Sequence, residues 1–243
     1  MTEVARFDAT IAGQHLPAAI LQDLRDAAAR TGVNFDFLVA QASVESGFHG
    51  KAHARGSSAA GLFQFTGATW LEMMHDHGAK YGCADLAKEI RPTPHGFVVA
   101  NGETEQRILA LRQDNRLSSF FAAEYAKANG RLIENVTGHR ATSAELHLAH
   151  LLGPNGAVRF LKAHEADEKQ AAAKILPEAA RENPSLFYAR GGHTAESVAS
   201  VYRKLQEKLA LPLRQIGEIE NRQLRPALGL SDAMPGERTD ERA

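Results

Sequence analysis

The chain has 243 residues, 44% of them apolar and 23% charged, with a formal net charge of −1. That length is enough to bury a full core, and the composition is that of a globular protein rather than a disordered one. The near-neutral balance gives no global attraction to nucleic acid or anionic lipid, and no window approaches the roughly 18 apolar residues needed to span a bilayer.

The N-terminal run MTEVARFDATIAGQHLPAAIL has neither a basic leader nor an unbroken apolar core, so it does not read as a standard secretory signal. Residues 1–14 read as an extension. PAAILQDLRDAAART, residues 17–31, repeats apolar residues at three- and four-residue spacing and stops at Gly32, which predicts a helix with a glycine stop. FDFLVAQASVES, residues 35–46, predicts a second helix capped by Asn34 and ended by Gly47. A third starts near Thr66 and carries the only tryptophan, Trp70. Cys83 is the only cysteine, so no intrachain disulfide is possible.

Residues 91–102, with paired prolines and glycines around a short β-branched run, predict a loop or a minimal hairpin. Helical patterning resumes at 104–113, 116–129, 143–152, 155–164 and 168–175. NPSLFYARGGH is irregular, and a last helix is predicted over 194–211 from a capping-box-like Thr194…Ser197 start. Beyond Leu213 the pattern fades into a charged tail with Gly and Pro, read as disordered over 213–243. The expectation is one mainly α domain over 15–212, with at most a minimal β-hairpin.

On a helical wheel, Phe35, Leu38, Val39 and Ala42 form one apolar face, and Phe37, Ala40, Val44 and Phe48 cover most of the other. A helix apolar nearly all round is a central, buried one. Glu45 sits in its last turn, at the edge of the first face. Burial and the negative end of the helix dipole both favour the neutral carboxyl there, which is the form a general acid requires. A structural glutamate paired with an arginine such as Arg55 is the alternative. GSSAAGLFQF follows, with little side-chain bulk from Gly56 to Gly61, so backbone can approach a ligand closely. Gln64, between Phe63 and Phe65, offers a donor and an acceptor to a polar ligand. A tight turn feeding a core helix is the plainer reading of the same residues.

Glu45-Ser46 within QASVESGF, followed by Gly61-Leu62-Phe63-Gln64, resembles the paired signatures of the soluble lytic transglycosylases, whose catalytic domain has the lysozyme fold. Phe63 stands where that family usually has Met. Ala149-His150-Leu151-Leu152-Gly153 falls where it has an Ala-Tyr-Asn-Ala-Gly block, so His150 or Tyr125 is expected to supply the family tyrosine's hydrogen bond. Residues 114–132 and 183–192 are similar to a bacterial subgroup of the family, and the likeness covers roughly residues 15 to 210.

The resemblance implies a peptidoglycan lytic transglycosylase with Glu45 as its single acid and base, forming a 1,6-anhydro-N-acetylmuramic acid product without metal or cofactor. It implies a sugar-binding set of Ser46, Gly61, Leu62, Phe63, Gln64, Tyr125 and His150. It also implies peptidoglycan glycan strands as the partner, a periplasmic place of action, and an envelope, secretion or flagellar assembly as a further partner. Trp70, Phe65 and Tyr125 could stack on sugar rings, although aromatic residues at helical spacing usually pack inward.

No second carboxylate is placed like Glu45: Asp36 lies upstream on the same helix, and Glu72 and Asp76 are expected to face solvent. The pairs His49/His53, His75/His77 and His147/His150 invite a zinc reading, but none forms H-E-x-x-H and no cysteine pair supports it. His147 and His150 read as one surface and one groove position. Two competing functions stand beside the first: a hydrolytic muramidase of the same fold, and a non-catalytic glycan-binding or assembly module.

Overall fold

The computed structural model describes residues 9–53, 58–192 and 194–227, with side chains to residue 222. Arg55, the adjoining residues 54–57 and the tail from 228 lie outside the described residues. The described chain is mainly α-helical, with two small antiparallel sheets. No helix among the described residues is long and apolar enough to cross a membrane.

The chain opens with a hairpin, β1 (Ala9–Ile11) against β2 (Gln14–Leu16), with Ala9 opposite Leu16. Ala12 and Gly13, both at positive φ, make the two-residue turn that such a hairpin favours. Ile11 and Leu16 are fully buried, so residues from Ala9 onward belong to the domain and are no extension. The Ala12 amide donates to Gln215 Oε1 at the far end of the sequence.

Helices α1 (Ala18–Thr31) and α2 (Phe35–Ser46) start and stop where their punctuation requires. Gly32 takes a left-handed conformation at the end of α1, and the Asn34 side chain accepts from the Phe37 amide at the start of α2. Phe37, Leu38, Val39, Ala40 and Ala42 are all essentially inaccessible, so α2 is the central helix its wheel predicts. Next come α3 (Gly67–His77), capped by Thr66, and α4 (Ala84–Lys88). A hairpin then pairs β3 (Ile90–Thr93) with β4 (Gly96–Val99). Asn101 caps α5 (Gly102–Ala110), its side chain accepting from the Thr104 amide.

Helix α6 (Asn115–Thr137) runs longer than its predicted core and packs against α1 and α7. The two helices expected over 143–152 and 155–164 form one helical run, α7 (Ser143–Ala166), broken at Gly153 (φ 69°, ψ 167°) before Pro154. Residues 168–175 yield only the short α8 (Ala172–Ile175). Ahead of it the backbone pairs with the approach to the last helix, Val198 N donating to Gln170 O and Ala172 N to Glu196 O. Two short helices, α9 (Pro177–Glu182) and α10 (Pro184–Phe187), precede α11 (Val198–Ala227).

Helix α11 departs most from expectation. It begins at Val198 because residues 194–197 are extended, and Ser197 is the cap, its hydroxyl accepting from the Ser200 amide. It then continues through the buried Pro212 and past Leu213, so residues 213–227 are helix rather than loose tail. The cause is packing: Leu205, Leu209, Pro212 and Ile216 are buried at three- and four-residue spacing, and the helix lies along both α2 and α7. Two apolar clusters result. The larger surrounds α2 and takes in Ile216, and the smaller gathers α7 to α10 with the first turns of α11.

Candidate active site

Glu45 lies in the last turn of α2, which Gly47 terminates in a left-handed conformation (φ 60°). Phe48 follows, also at positive φ and buried, and turns the chain sharply away from the helix end. The Glu45 side chain is 10% exposed. Its Oε1 is buried and has no hydrogen-bond partner.

The turn carrying the second motif is tied to this helix end. Ser46 Oγ donates to Leu62 O at 2.7 Å. Gly61 N donates to Ala52 O and Gln64 N to Gly61 O, and the Gln64 side-chain amide donates to Gly61 O (2.8 Å) and Ala52 O (3.2 Å). Gln64 itself sits at φ 50°, an uncommon conformation for a residue with a side chain, which those bonds hold in place. Arg112 braces the turn from behind, its guanidinium donating to the carbonyls of Ser58, Phe65 and Leu109. Gly61 is required here: at φ +83°, a Cβ would stand 1.9 Å from Arg112 O.

These bonds revise the roles expected of the motif. Leu62 and Phe63 are wholly buried, so their side chains anchor the turn and do not line a sugar site. The Ser46 hydroxyl and Gln64 amide spend their donors on the fold. What the motif contributes is a fixed, buried turn tied to the helix end that carries Glu45, with Gln64 its partly exposed residue.

Opposite lies α7. His150 Nε2 is 3.7 Å from Glu45 Oε1, and His147 Nδ1 is 3.6 Å from the same oxygen. The ring of His150 meets Phe65 and Tyr125 edge-on, with centroids at 5.7 and 6.2 Å. Of the two, His150 and not Tyr125 approaches the Glu45 carboxyl, and Tyr125 packs edge-on behind the imidazole. Burial pushes the Tyr125 phenol up to about 12, so it is a neutral hydrogen-bonding group across the physiological range. Trp70 and Phe65 are core residues, the Trp70 indole donating to Ile108 O at 2.7 Å.

Two functional candidates differ from expectation. His147 is fully buried, so the surface position assigned to one of the histidines does not exist. Its pairing with His150 at i, i+3 on one helix face was the available signal. Burial, then the charges of Lys208 and His150, hold the His147 imidazole neutral well below the usual histidine range. Glu72 on α3 is half-buried rather than solvent-facing, and burial, followed by the charge of Asp76, raises its carboxyl above the usual range. Its charge contributes, after burial, to raising the Tyr125 phenol.

Chemically, the arrangement offers one inward carboxyl at a helix end, two imidazoles within 4 Å of the same oxygen, and a rigid turn behind them. Among the described residues no group of three or more His, Cys, Asp or Glu side chains is arranged to hold a metal ion. A scan against models of known protein families finds no match to this chain.

Proposed function

We propose that this protein is a peptidoglycan lytic transglycosylase with a lysozyme-like catalytic domain, acting on glycan strands of the cell wall. The observation that carries the reading is the setting of Glu45: a carboxyl at the end of the central helix, beside the glycine turn of the second motif, with the imidazoles of His147 and His150 3.6 and 3.7 Å from its Oε1. A neutral His147 supplies no counter-charge to trap the carboxylate.

In this reading Glu45 enters protonated and gives its proton to the oxygen between N-acetylmuramic acid and N-acetylglucosamine. The muramoyl N-acetyl group stabilises the positive charge developing at C1. Glu45, now the base, takes the proton of the 6-hydroxyl as that oxygen closes on C1, and the carboxylic acid is regenerated. One carboxyl serves both steps, where most glycosidases use two. His150 takes the place of a tyrosine beside the acid, and Gln64, the partly exposed residue of the second motif, borders the sugar. The substrate places the site of action in the periplasm.

The half-buried Glu72 favours a second reading, a hydrolytic muramidase in which that carboxyl activates water. Mass spectrometry of the fragments released from purified peptidoglycan separates the two. Products lighter by one water, carrying the anhydro ring, are expected. Reducing-end products would assign the reaction to hydrolysis, and no release would leave only glycan binding.

A further inference from the structure

The least explained residue in the core is His147. Its side chain is fully buried, and neither Nδ1 nor Nε2 has a hydrogen-bond partner. Glu45 Oε1, 3.6 Å from Nδ1, is buried and unpartnered as well. Unpaired buried polar groups cost stability, and proteins keep few of them. Here two such atoms, on different helices, face each other at a separation a few tenths of an ångström beyond a hydrogen bond. A shift of that size is ordinary when a catalytic group gains charge, since such contacts tighten only as the reaction proceeds.

We propose that His147 is the positioning residue for Glu45, donating from Nδ1 to the inner oxygen Oε1 as the carboxyl ionises, so that Oε2 is left to deliver and recover the proton. The inference rests on Glu45 being the acid. The groups facing the two histidines are Glu45 from α2, Lys208 from α11 and Tyr125 from α6. Burial first, and then Lys208 and His150, keep the imidazole uncharged. That suits the role. A protonated imidazole would hold Glu45 ionised and abolish the acid, whereas a neutral N–H strengthens only as charge appears on Oε1. His150, on the same helix face but at the edge of the site, is left to meet the sugar.

The test compares the full-length protein with Glu45→Gln, His147→Leu and His147→Asn. Asparagine can place its amide nitrogen where Nδ1 lies, and leucine keeps the volume without a donor. Thermal unfolding and fragment release from peptidoglycan are measured across pH. Leucine is expected to leave the unfolding temperature unchanged or higher, because it removes the unpaired nitrogens. It should slow release about tenfold and move the alkaline limb of the pH profile up by about one unit, since loss of the donor keeps the carboxyl protonated to higher pH. Asparagine should restore most of the rate and return the limb toward its original position.

If Glu45→Gln abolishes release while His147→Leu keeps the wild-type rate and profile, the positioning role is wrong and the acid assignment stands. Failure of asparagine to rescue either readout would reduce His147 to packing. If Glu45→Gln stays active, the acid assignment itself fails. Should the leucine protein not fold, histidine nitrogen NMR of the wild type decides: a proton on Nδ1 whose signal moves on Glu45→Gln supports the inference, and a proton on Nε2 alone overturns it.

Discussion

Replacing Gly61 with alanine tests whether the turn beside Glu45 is held as tightly as its bonds indicate. Two costs apply. At φ +83° any L side chain pays for the left-handed conformation, roughly 1–2 kcal/mol. The new Cβ would also stand 1.9 Å from Arg112 O and 2.8 Å from Arg112 C, so carbon and oxygen must separate by more than ~1 Å. That carbonyl cannot yield freely, because the Arg112 side chain is fastened to the carbonyls of Ser58, Phe65 and Leu109. Gly82 provides the control: its φ is +86°, and a Cβ there meets nothing within 4 Å. Gly82→Ala should therefore cost ~1 kcal/mol and lower the unfolding temperature by roughly 2–4 °C. Gly61→Ala should cost ~3–5 kcal/mol, a fall of roughly 8–15 °C, and should reduce glycan cleavage because the Ser46–Leu62 bond moves with the turn. Urea and thermal unfolding of both variants give the comparison. Costs equal within ~0.5 kcal/mol would show that the close approach to Arg112 does not constrain the turn.

Ile216→Ala should destabilise the protein by about 2–5 kcal/mol in urea unfolding, because the side chain is buried where α11 packs on α2, and a neutral result would detach that part of α11 from the core. Acid should unfold the protein partly through Glu124. Burial opposes its charge, but bonds from Lys80 and Tyr81 outweigh burial and lower its carboxyl, so its stabilisation is present above the usual carboxylate range and is lost as pH falls through the depressed value. Tyr81→Phe should accordingly flatten the acid side of the stability curve, as read from urea midpoints. His147 acts in the same direction at higher pH. Its folded imidazole resists protonation, the unfolded chain binds that proton below about pH 6.5, and stability should decline there by at most ~1.4 kcal/mol per pH unit, a slope that His147→Leu removes.

The parts of the fold written in local chemistry could be read directly. Asn34 and Gly47 bracket α2, Gly32 stops α1, Thr66 caps α3, and the Pro- and Gly-rich run at 91–102 holds all of the β3–β4 hairpin but Ile90. The parts decided by distant contacts could not. β1 and β2 are three residues each, joined through Ala12 at positive φ, and Gln215 helps to hold them. Pro212 and Gly217 argue locally against helix, yet the apolar spacing from Leu205 to Ile216 continues through them because α2 and α7 supply a surface to bury it. At the site, the wheel placed Glu45 correctly at the end of a buried helix. That Leu62 and Phe63 turn into the core is not legible in the motif, which shows which residues recur together and not which way they point. The i, i+3 pairing put His147 and His150 on one face, but not that the face turns inward, so His147 is buried where a surface position is expected. Only the three-dimensional meeting of α2 and α7 gives it a neighbour.

The most direct test of the account is the rate of fragment release from purified peptidoglycan by Glu45→Gln, set against the wild-type protein with unfolding temperatures matched. The amide keeps the shape and removes the transferable proton. Loss of about a hundredfold or more, with glycan binding retained, is the predicted result for a residue that is both acid and base. A variant that still releases anhydro fragments within about tenfold of the wild-type rate would contradict the assignment of Glu45 and, with it, the mechanism built on that residue.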